Sequence, residues 1–97
     1  MRHLAILLLT VFFLSCKKEE KAGQTVLQEQ TFLNVAYGAE PGQKMDVYLP
    51  AGRDTNNTKI LVMVHGGAWV EGDKDDITAY VAIIRQRFPD YAILNLN

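Results

Sequence analysis

A single cysteine, Cys16, is the whole thiol content of the chain, so no disulfide can close within it. Serine is as scarce: Ser15 is the only one. Two histidines, His3 and His65, with scattered aspartates provide no ligand spacing such as HExxH, so neither a metal nor another cofactor is expected. The glycines of "GGAWVEG" lack the G-x-x-x-x-G-K-[ST] spacing, which excludes a phosphate-binding loop of that type. Charge of one sign is missing too. Ten basic against eleven acidic side chains leave a net charge of −1, no field that would recruit nucleic acid. The longest uncharged apolar run, Leu4 to Leu14, has eleven residues. A helix crossing ~30 Å of hydrocarbon needs about 20, so a permanent membrane span is the weaker reading of that run. What remains, at 48% hydrophobic and 22% charged over 97 residues, is one small globular domain with a modest core.

Residues 1–15 have a basic start at Arg2, the apolar run, and a small residue at the end, the anatomy of a secretion signal. Cys16 follows directly, and this placement resembles a bacterial lipoprotein cleavage site, although Phe13 stands where leucine is commoner. The competing reading is an incidental thiol. Acyl chains on Cys16 would contribute about 0.8 kcal/mol per buried methylene, enough for stable anchoring when several are attached. The expected location is the bacterial cell envelope, anchored by lipid to the outer membrane and facing either the periplasm or the surface. The membrane is then a partner through the anchor. Residues 16–25, with "KKEEKAGQT", are polar, charge-mixed and aperiodic, and read as a flexible tether. Loss of Arg2 with the signal leaves nine basic against eleven acidic groups, a net of −2.

The folded part is expected over residues 26–97. "TFLNVAYG" is rich in β-branched and aromatic residues, and "QKMDVYLP" alternates Met45, Val47 and Leu49 against Lys44, Asp46 and Tyr48. With Pro-Gly turn chemistry between them they predict an antiparallel pair. "AGRDTNNTK" is a surface loop. Ile60 to Val64 are apolar without alternation, the pattern of a strand covered on both faces, and a double glycine ends it. Ile77, Tyr80, Val81, Ile84 and Phe88 then recur at helical spacing, with Asp73, Asp75 and Asp76 at the start as caps and Pro89 as the stop. "YAILNLN" begins one more strand. The fold class is therefore α/β: an antiparallel strand pair, then a strand-helix-strand unit with parallel strands.

The chemistry sits in "LVMVHGGAW". Negative charge collects on a carbonyl oxygen under attack, and a fixed pair of backbone N–H groups aimed at it lowers the barrier, one donor being worth roughly 100- to 1000-fold in rate. Glycines permit the sharp turn that lets such donors converge, and the end of a buried strand is where α/β sheets bind ligands. Here the sequence resembles the α/β-hydrolase fold esterases and lipases, through "NVAYG", "KMDVYLP", "HGGAW" after an apolar strand, and "YAILNLN". The resemblance implies an oxyanion hole at Gly66, Gly67 and Ala68, with the amides of Gly67 and Ala68 as donors and Ala68 replacing the third glycine of "HGGG". It also implies that Trp69 packs beside the substrate pocket and that His65 is structural, tying the loop down. The competing reading of the motif is a glycine turn with a tryptophan buried for packing.

The resemblance implies a serine on a GxSxG elbow, then an acid, then a histidine. None can be assigned here, because Ser15 and His3 lie in the signal and the aspartates read as caps and loop charges. All three are expected beyond Asn97. The chain thus reads as an incomplete sheet, the N-terminal portion of a lipid-anchored serine hydrolase, with further strands expected on the far side of "YAILNLN". Its substrate would be a small-molecule or carbohydrate-linked ester, with amide cleavage also open. The other reading is a non-catalytic surface lipoprotein or decayed remnant that reuses the sheet as an interaction module.

Overall fold

The computed structural model describes residue 23, residues 25–68 and residues 70–97. The expected secretion signal, Cys16, most of the expected tether and Trp69 lie outside the described residues. Four strands form one sheet: β1 (Gln30–Ala36), β2 (Lys44–Leu49), β3 (Ile60–Val64) and β4 (Ala92–Leu96). A 3-10 turn (Lys74–Ile77) runs into a single helix, α1 (Thr78–Arg87), between β3 and β4. The sheet order is β1-β2-β4-β3. β1 and β2 are antiparallel, as are β2 and β4, whereas β3 and β4 are parallel. This is the α/β arrangement expected, a partial α/β-hydrolase sheet.

One expectation about its edge is corrected. β4 was to leave its outer side open, yet β2 occupies one side of it and β3 the other. The antiparallel return of β2 against β4 fills the place: Asp46 pairs with Asn95 and Val47 with Leu94. Among the described residues the strands with a single partner are β1 and β3, and of the parallel pair it is β3, not β4, that forms an edge.

One face of β3 is uncovered as well among the described residues. Ile60, Val62 and Val64 are 64%, 53% and 71% exposed, although their apolar run anticipated cover on both faces. They share a sheet face with Ala92, Leu94 and Leu96 through register, and α1 packs on the opposite face. There Tyr48, Met63, Val81 and Ile93 form the core, with Leu61, Ile77 and Ile84 against it. The helical stripe is only partly inward, since Tyr80 is 58% and Phe88 43% exposed.

α1 ends where Pro89 disfavours helical geometry for the residue before it, and Phe88 has φ −131 and ψ 67. Asp73 caps the 3-10 turn: it accepts from Asp75 N, while Asp76 reaches back to the Asp73 amide, a reciprocal capping box. The alternation in β2 has an outcome the polar residue types concealed. Asp46 and Tyr48 are the buried residues, because they face α1 and the 3-10 turn, and Met45, Val47 and Leu49 are half-buried on the other face.

Candidate functional site

β3 delivers the chain to the loop His65–Gly72 at the C-terminal end of a parallel pair. The loop folds back on itself. Gly67 O accepts from both Val70 N (3.1 Å) and Glu71 N (3.2 Å). Two glycines make that closure possible. Gly67 has φ 132, and a Cβ there would overlap the Glu71 carbonyl. Gly72 has φ 97, and a Cβ there would overlap Gly66 O and lie 2.8 Å from His65 Nδ1. At neither position does an L side chain fit. Ala68 stands at φ 51, a left-handed conformation that costs a non-glycine residue roughly 1–2 kcal/mol.

Among the described residues, no backbone carbonyl accepts from the amides of Gly66, Gly67 or Ala68. An open cleft of about 690 Å³ lies over them, lined also by Val64, His65, Val70 and Asn97. The half-buried His65 places Nδ1 2.6 Å from Gly66 O. A carbonyl can only accept, so Nδ1 carries the hydrogen in this geometry. The ring is thereby turned onto its own loop. Gly66, Gly67, Ala68 and His65 are thus gathered at one cleft, and no second imidazole or serine hydroxyl stands among the described residues.

Beneath the loop lies a polar node that sequence reasoning missed. Lys74 Nζ donates to Asp46 Oδ2 at 3.0 Å, with side-chain exposures of 7% and 4%. It also donates to Asp75 Oδ1 at 2.9 Å. Asp46 Oδ1 accepts from the amide of Asn34 at 2.9 Å, at a bulge in β1 where Asn34 has φ 56. The hydrogen bond to Asp75 and the charge of Asp46 hold the Lys74 ammonium above the ordinary lysine value, against desolvation that lowers it. Burial, and secondarily the Asp46 charge, raise the Tyr48 phenol. A signal was present in the sequence. An aspartate alternating with apolar residues in a strand and a lysine inside a cap motif each need a partner, but one chain gives no means of pairing them.

The described residues hold no group of three or more His, Cys, Asp or Glu side chains suited to a metal. No described helix is long and apolar enough to cross a membrane.

A glycine loop closing a parallel strand under an open cleft, within a mixed sheet of this order, defines the class as an α/β-hydrolase-like chain. The BD-FAE family model matches residues 45–97, more than half of the chain, and the chain belongs to that family. It is similar to the kynurenine formamidase of Danio rerio, 38% identical over 47 residues, which is 48% of this chain and 16% of the relative. The kynurenine formamidase of Salmo salar is 42% identical over 40 residues, 41% of this chain and 13% of that relative. The chain thus spans under a fifth of the length of these curated relatives. No solved structure matches it.

Proposed function

We propose that this chain carries the oxyanion side of a secreted, lipid-anchored serine hydrolase that works through an acyl-enzyme. The observation that carries the reading is the cleft over His65–Gly72, with the Gly67 and Ala68 amides unengaged by backbone carbonyls at the end of a parallel strand. Donors already held in place spend nothing on reorganisation when charge builds on an acyl oxygen, which is why such amides count for more here than in water. His65 supports them through its Nδ1 contact with Gly66 O and is not assigned proton transfer. The nucleophile, acid and base are assigned to no residue of these 97. The relatives' name adds cleavage of a formamide to ester hydrolysis as a reaction to assay.

The test is turnover of a nitrophenyl acetate and of an N-formyl arylamine by the full-length protein, with the 97-residue chain in parallel. Hydrolysis of either by the full-length protein, with only residual rate from the 97 residues, is expected. No turnover of either by the full-length protein defeats the hydrolase reading. Anchoring is checked separately: Cys16→Ala should move the protein from membranes to the soluble fraction, and unchanged retention defeats that part.

A further inference from the structure

A buried ion pair is a poor device for stability alone. The desolvation of two charges commonly cancels their attraction, and apolar residues of the same volume serve as well or better. The Asp46–Lys74 pair must therefore be explained by what it holds in place. Lys74 is fixed at three separate atoms. Its amide donates to Asn97 Oδ1 (3.1 Å), its carbonyl accepts from Asn95 Nδ2 (2.9 Å), and its ammonium meets Asp46 Oδ2 (3.0 Å). These partners lie on β2, on β4 and immediately after β4. Asp46 is in turn held by the Asn34 amide of β1.

Lys74 lies two residues beyond Gly72, the downstream end of the glycine loop. The upstream end, Val64, is paired with Leu96 of β4. Both ends of the loop are thus referenced to the same three residues at the end of β4, and Asn97 also lines the cleft. Fixing both ends fixes where the amides between them point.

We infer that the Asp46–Lys74 pair is the downstream tether of the His65–Gly72 loop and that Lys74 is a positioning residue for its free amides. The catalytic meaning of that role rests on the oxyanion reading given above; the mechanical role does not. Lys74 makes no contact with substrate in this scheme. It sets the geometry by holding the polypeptide just past Gly72 against the sheet, and the exposed Asp75 carboxylate meets the same ammonium from the solvent side.

Hydrogen exchange of the full-length protein without substrate tests the tether. Lys74→Met alone leaves Asp46 buried and unpaired, so the informative variant is Asp46→Leu with Lys74→Met, which removes both charges together. The amides of Val70 and Glu71, closed onto Gly67 O, are expected to exchange about tenfold faster, the change that losing roughly one hydrogen bond of local stability produces. Amides of β2 and β4 should keep their protection. Unchanged exchange at Val70 and Glu71 with the sheet intact overturns the inference. Should the double variant lose sheet protection, Lys74→Arg decides, because it keeps the charge and displaces the anchor. Faster loop exchange over an unchanged sheet then supports the tether, and an unchanged loop defeats it. In an active protein the same variants should lower kcat and leave KM near its original value. Exchange is read with no substrate present, so absence of turnover in the unaltered protein sinks the hydrolase reading and leaves the tether standing.

Discussion

Gly67→Ala is the sharpest perturbation of the loop, because one methyl group meets two separate obstacles. At φ 132 an alanine pays about 1–3 kcal/mol of backbone strain. Its Cβ would also overlap the Glu71 carbonyl, so the turn must open and release the two bonds onto Gly67 O. Each of those contributes about 0.5–1.5 kcal/mol. Together they disfavour the closed loop by about 2–6 kcal/mol, more than the 1.4 kcal/mol that makes a tenfold change in population. Most molecules then present the amides of Gly67 and Ala68 in another direction. If those amides stabilise an oxyanion, kcat for a nitrophenyl ester should fall ~100- to 1000-fold in the full-length protein. Gly66→Ala is the matched comparison, for nothing lies within 4 Å of a Cβ there and its φ is not in the left-handed region. It should cost far less than Gly67→Ala. Urea unfolding read by far-ultraviolet dichroism should show the sheet of both variants intact. Gly67→Ala with kcat within about threefold of Gly66→Ala would refute the assignment, since losing a single oxyanion donor costs at least ~100-fold.

Other outcomes follow from the same geometry. Ala68→Gly should relieve the left-handed strain at φ 51 and stabilise the closed loop by about 1 kcal/mol, seen as slower exchange of the Glu71 amide. Ile93, fully buried at 0% exposure in the centre of the core, should cost about 2–5 kcal/mol on replacement by alanine, measured as a lower urea midpoint. Lys74 titrates above its unfolded value of 10.5, chiefly through Asp75 and then Asp46. Its contribution to stability is therefore whole below about pH 10 and is lost as pH rises through the folded value. Denaturation followed between pH 9 and 12 should show a steeper alkaline loss in the native protein than in the Asp46→Leu, Lys74→Met variant.

Element identity was largely legible because each segment has a clean period and clear punctuation. "QKMDVYLP" alternates and stops at Pro50; the segment before Pro89 repeats every three to four residues. Antiparallel and parallel pairing followed from turn chemistry and from the helical crossover. Two things were not legible. Strand order is a long-range property: nothing local in "YAILNLN" says that β2 returns to pair with it, and so the edge of the parallel pair, expected at β4, lies among the described residues at β3. The other is the partnership of Asp46 with Lys74, 28 residues apart. Period-2 reasoning assigned Asp46 to a polar side that the 3-10 turn in fact covers. At the site, glycine positions could be read from the motif, but which glycine needs a positive φ could not. The structure assigns that need to Gly67 and Gly72 and leaves Gly66 in ordinary backbone.

The place of β4 in the sheet has a kinetic consequence. β4 must enter between two strands that precede it, meeting β2 residues about 50 positions earlier in the chain, as in the pairing of Met45 with Leu96. Hairpin β1-β2 can form as soon as it is synthesised, whereas β3 has no neighbour until β4 arrives. A strand waiting in this way is sticky, and delay at this step favours association between nascent copies over completion of the sheet.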